Sequence, residues 1–232
     1  MLTQKKLENM YTYHKNIFKK LSNNNRVRKK SDKSLVGKHD NEIQKKLKLK
    51  ILKEYPEIKQ FLMEEGFKKK NFNKINFKDS LAIIDPIDGT ENYLSNNKFY
   101  GSVLSILNTK KNINFLLIPS ENILINDKNI FKISKKPNKY NNLILASTKC
   151  LGKINKINPN IRIFGSASYM FYLFIKGKCN ELIYCNGAKI WDCYTGLSLC
   201  NKLGCKIKIK NSNIKKWLKK PTFLTSFHLK WH

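Results

Sequence analysis

Two aspartates three residues apart, Asp85 and Asp88, follow directly on the apolar run at residues 81–84. Carboxylates at the end of a buried strand lie at the edge of a sheet, and oxygen ligands so close together suit a hard cation such as Mg²⁺. Gly89 and Thr90 then offer backbone N–H groups and a hydroxyl, which can bind phosphate if a helix begins there. The competing interpretation is a strand that ends in an Asx-type turn.

Further acidic residues stand at the boundaries of predicted elements, in a chain that has only 16 Asp and Glu. Asp40 directly precedes a helical stripe at residues 43–52, so it is a candidate N-cap of that helix. Glu64 and Glu65 end a short apolar segment. Asp192 opens a later helix, a position at which aspartate is normally a cap.

Apolar periodicity indicates a chain of mixed helices and strands. Helices are expected at residues 1–22, 39–54, 169–175 and 191–203. Strands are expected at residues 81–84, 100–107, 114–118, 123–125, 130–133, 143–147, 181–184 and 205–209. Residues 23–38 should form a loop or short hairpin, and the chain beyond residue 209 shows only weak signals. Gly165, Ser166 and Ala167 open the third helix, which suits either close approach of a ligand or a plain capped helix.

The composition is that of a globular protein, with 41% hydrophobic residues in 232. No apolar run approaches the ~20 residues of a membrane span, and the first residues lack a secretory signal, so we expect a soluble cytoplasmic protein. The formal charge of +30 comes almost wholly from lysine, with arginine only at positions 26, 28 and 162. This favours nonspecific attraction to polyanions at low salt over specific reading of nucleic acid.

Six cysteines stand at positions 150, 179, 185, 193, 200 and 205. None forms a C-x-x-C pair, and the histidines do not flank them at zinc spacing. We therefore expect reduced, buried thiols.

Four segments together resemble the inositol monophosphatase superfamily, which consists of metal-dependent phosphatases. The string from Asp85 to Thr90 resembles its first signature, and Trp191-Asp192 with Gly196 resembles its second. Residues 63–66 are similar to its Gly-Glu-Glu segment, and residues 165–167 match its Gly-Ser-Ala helix start. The resemblance implies a layered αβαβα sandwich of the α/β (α+β) class. It also implies a single unit over residues 1–232, with a metal-site half at about 1–135 and a second half at 136–232.

The resemblance also implies a site that holds two or three Mg²⁺ ions. Glu64, Asp85 and the carbonyl of Ile87 would hold the first ion. Asp85, Asp88 and Asp192 would hold the second. The residues expected to act in catalysis are Asp40, Thr90 and Glu64, with Asp40 and Thr90 orienting the attacking water. The residues expected to contact substrate are Asp88, Gly89, Thr90, Gly165, Ser166, Ala167 and Cys185.

Departures from the family pattern leave the substrate open. Cys185 stands seven residues before Asp192, where inositol-specific members carry a substrate-binding Glu, and Met63 replaces a usual Gly. An inositol-1-phosphate-like monoester is the leading hypothesis for the substrate, and adenosine 3′,5′-bisphosphate is the alternative. A non-catalytic protein that binds RNA or the transcription machinery is a third hypothesis, and a degenerate enzyme is a fourth. Members of the family are often dimers, so a homodimer is expected.

Overall fold

The computed structural model describes residues 4–21, 27–29, 35–107, 112–138, 140–153 and 160–231. The helices are α1 (Gln4–Lys19), α2 (Lys38–Glu54), α3 (Thr90–Leu94), α4 (Ile130–Ile133), α5 (Ala167–Ile175), α6 (Ile190–Lys202) and α7 (Ile214–Lys219). The strands are β1 (Val27–Lys29), β2 (Leu35–Gly37), β3 (Gln60–Met63), β4 (Leu81–Asp88), β5 (Gly101–Leu107), β6 (Ile113–Ile118), β7 (Ile123–Asn126), β8 (Ile144–Ala146), β9 (Ile161–Arg162), β10 (Glu181–Lys189), β11 (Lys206–Ile209), β12 (Ser212–Asn213) and β13 (Leu224–Lys230).

The first sheet has five strands in the order β3-β4-β5-β6-β7. Strands β3 and β4 run parallel, and the remaining pairs are antiparallel. Every residue of β4, β5 and β6 is buried. Strands that are apolar on both faces must be covered on both faces, which places this sheet between two layers of the molecule.

Helices α1 and α2 cover one face of the first sheet. Met10 and Ile17 of α1 and Ile43 and Leu47 of α2 are buried in one apolar cluster with the sheet residues Ala82, Ile84, Leu104, Ile106, Phe115 and Leu117. Because side chains alternate along a strand, Leu81, Ile83, Val103, Leu116 and Ile118 point to the other face and join a second cluster.

The second cluster lies between the first sheet and a six-stranded sheet, whose order is β12-β11-β13-β10-β8-β9. Helices α5 and α6 contribute Phe171, Phe174, Tyr194 and Leu197 to it, all fully buried. The layers therefore run from the α1–α2 pair through the first sheet and the α5–α6 pair to the second sheet. The mixed, layered α/β fold is confirmed. The division into two halves stays a prediction.

Two expectations about secondary structure were wrong or incomplete. Residues 130–133 form helix α4 and not a strand, because the preceding asparagines fix a turn: Asn129 Nδ2 donates to the carbonyl of Leu124, and Asn129 Oδ1 accepts from the N–H of Asn126. The tail beyond residue 209 contains β13, an inner strand of the second sheet. Its buried positions alternate, and lysine and polar residues between them weaken the apolar signal. Of the loop or short hairpin expected at residues 23–38, the structure describes the antiparallel pair β1 and β2, and residues 23–26 and 30–34 lie outside the described residues.

Among the described residues, no helix combines the length and the apolar character needed to cross a bilayer.

Candidate metal centre

Strand β4 brings Asp85 and Asp88 to the same side of the sheet through a bulge. In a regular strand, residues three apart point to opposite faces. The ladder to β5 pairs Asp85 with Val103 and Asp88 with Gly101, and its register shifts between these pairs. Pro86 lies in the shifted segment, and proline has no N–H to give to a ladder. The bulge therefore converts two carboxylates of opposite orientation into a pair that can share one ion.

Two other elements complete the cluster. Glu64 directly follows β3, the parallel neighbour of β4, and its N–H donates to the carbonyl of Ile84 at 3.1 Å. Asp192 lies in the first turn of α6, where its Oδ2 accepts from the N–H of Lys189 at 3.0 Å. One ligand oxygen from each of Asp85, Asp88 and Asp192 lies within 4.8 Å of the others. The structure thus brings these three predicted ligands together.

The residues present fit a divalent cation. Asp85 is 1% exposed, and its Oδ1 is buried without a hydrogen-bond partner in the described part of the chain. A buried carboxylate oxygen with nothing to bind is costly, unless a cation satisfies it. The cluster consists of oxygen donors, which Mg²⁺ prefers. Ile87 lines the same cavity as these aspartates, and its carbonyl accepts from the hydroxyl of Thr90.

Crowding of the carboxylates disturbs their protonation. Burial raises the pKa of Asp85 well above its ordinary value, and the charges of Glu64, Asp88 and Asp192 raise it further. Burial also raises the pKa of Asp192 well above its ordinary value, and the charges of Asp88 and Glu64 raise it further. Burial also raises the pKa of Asp88, against hydrogen bonds from Ser168 and Ser166 that lower it. A bound dication would reverse these preferences, because it favours the ionised carboxylates.

We expect the contribution of Asp85 to the stability of the metal-free protein to fall as the pH rises. A carboxyl whose pKa in the fold lies above its ordinary 3.8 contributes stability that is present at low pH and lost as the pH rises through the raised value. Buried His14, with a pKa lowered to about 3, contributes in the opposite direction. The measurement is therefore a difference: the thermal midpoint in EDTA of the wild type minus that of Asp85→Asn, from about pH 5 to about pH 8. The difference should become more negative with pH, and a flat difference would contradict the raised pKa of Asp85.

The N-terminus of helix α5 contacts Asp88. The Oδ2 atom of Asp88 accepts from the hydroxyl of Ser166 at 2.7 Å and from the N–H of Ser168 at 2.5 Å. Ser166 is the N-cap of α5 and also accepts from the N–H of Tyr169. This approach needs a glycine at position 101, because a Cβ there would overlap the hydroxyl of Ser168. Ser166 and Ala167 are buried and serve to hold Asp88, and their contact with substrate stays a prediction.

Asp40 and Thr90 meet at the edge of the cluster. The hydroxyl of Thr90 lies 3.1 Å from Asp40 Oδ1 and 3.0 Å from the carbonyl oxygen of Ile87. The expectation that Asp40 is an N-cap was wrong: Gly37 is the N-cap of α2, and Asp40 is its third residue. Its Oδ2 accepts from the N–H of Gly37 at 2.8 Å, which fixes the carboxylate towards Thr90. A glycine N-cap offers no side chain, so the acid three residues later takes its place.

A cavity of about 190 Å³ opens over the cluster. The residues around it are Glu64, Asp85, Ile87, Asp88, Gly89, Thr90, Glu91, Gly165, Lys189 and Asp192. Gly89 has a φ of +88° and a Cβ there would lie 2.8 Å from that of Ser166, so both its conformation and its surroundings require glycine. Glu91 and Lys189 were not among the site residues predicted from the sequence. A basic residue three positions before a helix-opening Asp is the signal that could have found Lys189.

The cysteines differ in part from the expectation. Cys150 and Cys185 form a disulfide, with Cα atoms 5.1 Å apart. Four further cysteines, at positions 179, 193, 200 and 205, are free and buried as expected. The disulfide was not predictable, because the irregular part of β10 brings together residues 35 positions apart. Cys185 does not line the described cavity, and its role in substrate binding stays a prediction.

The fold and the site define a class of protein, a layered α/β sandwich with a cluster of carboxylates that could hold a cation at the edge of its first sheet. The model of the inositol monophosphatase family matches residues 3–115, which include β4 and its aspartates. No curated protein sequence shows a match to the chain. Together with the fold, the family match over this part of the chain supports its resemblance to the inositol monophosphatase superfamily.

Solved structures share the fold at low sequence identity. An IMPase/NADP phosphatase complexed with Mg²⁺ and phosphate has a TM-score of 0.78 and 19% identity, over 97% of this chain and 89% of that one. A staphylococcal inositol monophosphatase-1 in a LiCl-soaked inhibitory complex has a TM-score of 0.79 and 18% identity, over 99% of this chain and 91% of that one. Extragenic suppressor protein suhB from Bartonella henselae has a TM-score of 0.72 and 16% identity, over 99% and 94%.

Proposed function

We propose that the chain is a Mg²⁺-dependent phosphatase that hydrolyses a small phosphate monoester with water as the nucleophile. The observation that carries this proposal is the buried oxygen of Asp85 without a described partner, on a residue that lies next to Asp88 and Asp192 and lines the cavity. The match of the inositol monophosphatase family model to residues 3–115 supports it, as does the likeness to a phosphatase whose structure holds Mg²⁺ and phosphate.

Two or three Mg²⁺ ions are proposed for the site. Glu64, Asp85 and the carbonyl of Ile87 would hold one ion, and Asp85, Asp88 and Asp192 another. When bound, such ions screen the dianionic phosphate, activate a water and stabilise the leaving oxygen. Hydrogen bonds from Ser166 and the N–H groups of α5 favour the ionised form of Asp88 and oppose the burial that raises its pKa.

The residues Asp40 and Thr90 would position the attacking water. The Thr90 hydroxyl has one proton and two acceptors, Asp40 Oδ1 and the Ile87 carbonyl, at nearly equal distances. A hydroxyl that donates to the carboxylate can still accept a hydrogen bond from a water in the cavity. Asp40 then supplies the acceptor towards which the proton can move. The N–H groups of Gly89 and Thr90 would bind the phosphate, and no nucleophilic Ser or Cys is needed.

An inositol-1-phosphate-like substrate remains the leading proposal. The cavity of about 190 Å³ is smaller than the ~300 Å³ of an ordinary ligand pocket, so it suits the phosphate group and leaves the alcohol part at the surface. Adenosine 3′,5′-bisphosphate is one competitor. The 2′-phosphate of NADP is another, suggested by the name of the first solved relative.

The test is phosphate release from D-inositol-1-phosphate, adenosine 3′,5′-bisphosphate and NADP side by side, with Mg²⁺ and with EDTA. We expect release that needs Mg²⁺, is fastest from inositol-1-phosphate and is inhibited by Li⁺. Release that continues in EDTA would refute the metal-dependent mechanism. No release from any of the three esters, with metal bound, would favour the alternative of a protein that binds RNA or the transcription machinery.

A homodimer and nonspecific attraction to polyanions are also proposed as properties of this chain. The charge of +30 supports the second, because lysines that neutralise phosphates release counterions. Such binding should weaken steeply with salt and should not distinguish RNA sequences.

A further inference from the structure

Lys189 places a positive charge in the metal site. It is the last residue of β10 and the N-cap of α6. Of the described residues around the cavity, it is the only basic one, among the acids Glu64, Asp85, Asp88, Glu91 and Asp192. Its Nζ lies 3.8 Å from Glu64 Oε1. None of the roles given above to the predicted site residues uses this lysine.

The position of Lys189 is fixed at both ends of the side chain. Its backbone pairs with Leu224 of β13, and its N–H donates to Asp192. Its ammonium lies 5.7 Å from the ring centroid of Trp191. The ring of Trp191 in turn packs edge-on against Phe67 and Phe223. The side chain of Lys189 is 29% exposed and that of Glu64 is 13% exposed. An ion pair this sheltered is screened less by water and salt than one on the open surface.

Two cations would therefore compete for the carboxylate of Glu64. It is a proposed ligand of a divalent ion, and it already has an ammonium beside it. A dication that binds at Glu64 meets a like charge a few ångströms away, unless the lysine moves off. Asp88, by contrast, is held by hydrogen bonds from Ser166 and from the first turn of α5.

We propose that Lys189 is a resident cation of the site that competes with the divalent ion for Glu64, so that it sets the affinity of the Glu64 side for metal. The inference rests on the proposed function, because it concerns the same carboxylates. The lysine makes the Glu64 side the weaker of the two metal positions. It also keeps the cluster from carrying its full negative charge when metal is scarce.

The test is direct titration with Mn²⁺, followed by the EPR signal of the free ion, without any substrate. Lys189→Met should tighten the weakest Mn²⁺ site by about threefold to tenfold, because one competing charge is gone. Lys189→Arg should remain near the wild type, since the cation is kept. Lys208→Met, which removes an equally positive but distant and exposed charge, should change the affinity much less.

A double variant distinguishes competition at Glu64 from a general change in charge. In the Glu64→Gln background, Lys189→Met should lose most of its gain in Mn²⁺ affinity. An unchanged or weaker affinity in Lys189→Met, or a full gain that persists without Glu64, would overturn the proposal. Because no turnover is measured, a wild type that binds Mn²⁺ but releases no phosphate would sink the proposed function alone. A wild type that binds no Mn²⁺ would sink both.

Discussion

Asp85→Asn should lower Mg²⁺-dependent phosphate release by at least about 10³-fold, since it removes the carboxylate shared by both proposed ions. An amide is neutral and offers one acceptor oxygen, so it cannot bridge two dications. Asp85 is also the residue whose oxygen has no other described partner. No neighbouring carboxylate can take over, because Glu64 would already be a ligand of the first ion and Asp88 and Asp192 of the second.

The same substitution should raise the thermal midpoint of the metal-free protein near neutral pH. In the wild type, burial and three neighbouring acids make the charged form of Asp85 unfavourable. Asparagine has nearly the same shape without the charge, and its amide can donate to Glu64 or Asp192. A variant that loses activity while it gains stability is expected where a site holds like charges together for binding a metal.

The measurements are phosphate release and thermal unfolding in EDTA and in Mg²⁺, with Asp79→Asn as the matched control. Asp79 undergoes the same chemical change, but it is exposed and accepts from Asn76 far from the cluster. The control should keep its activity and its response to Mg²⁺. If Asp85→Asn instead melts several degrees below the wild type in EDTA, its lost activity would reflect a damaged fold and not a lost ligand.

The parts of the site that sequence predicted are those encoded locally. Strand β4 contains the apolar run, Pro86, Asp85 and Asp88 within eight residues. One short segment of sequence therefore determines the bulge and leads directly into α3. Asp192 was predictable as a helix-opening acid, and the structure places it in the first turn of α6. The family resemblance, and not periodicity, joined these separate strings into one centre.

What sequence did not predict depends on pairings between distant segments. The hydrogen bond from Ser166 to Asp88 joins residues 78 positions apart. The sequence at the start of a helix does not reveal which carboxylate that helix will contact. The Lys189–Glu64 pair spans the two halves of the chain in the same way. In a chain with 46 Lys and Arg, a single lysine also carries little information.

Gly196→Ala should destabilise the protein by about 3 kcal/mol, which corresponds to a fall in thermal midpoint of roughly 6 to 12 °C. Gly196 is buried in α6, and a Cβ there would lie within 2.5 Å of Cγ, Cδ1 and Cδ2 of Phe171 in α5. The ring cannot retreat, because Phe171 stacks on Phe227, which in turn stacks on Tyr184. The direction is informative, since helix propensity alone would make alanine the stabilising choice by about 1 kcal/mol.

A second substitution tests that cause. Phe171→Leu shortens the side chain that the new methyl group would strike, so the double variant should be less destabilised than the sum of the single variants. Gly204→Ala is the control, because nothing lies within 4 Å of its Cβ and it bears only the strain of a φ of +77°. A midpoint for Gly196→Ala within about 2 °C of the wild type would contradict the tight α5–α6 contact. Residues at the start of α5 hold Asp88, and α6 carries Asp192, so separating these helices should also weaken Mn²⁺ binding. Gly196 would then affect the metal site through helix packing alone.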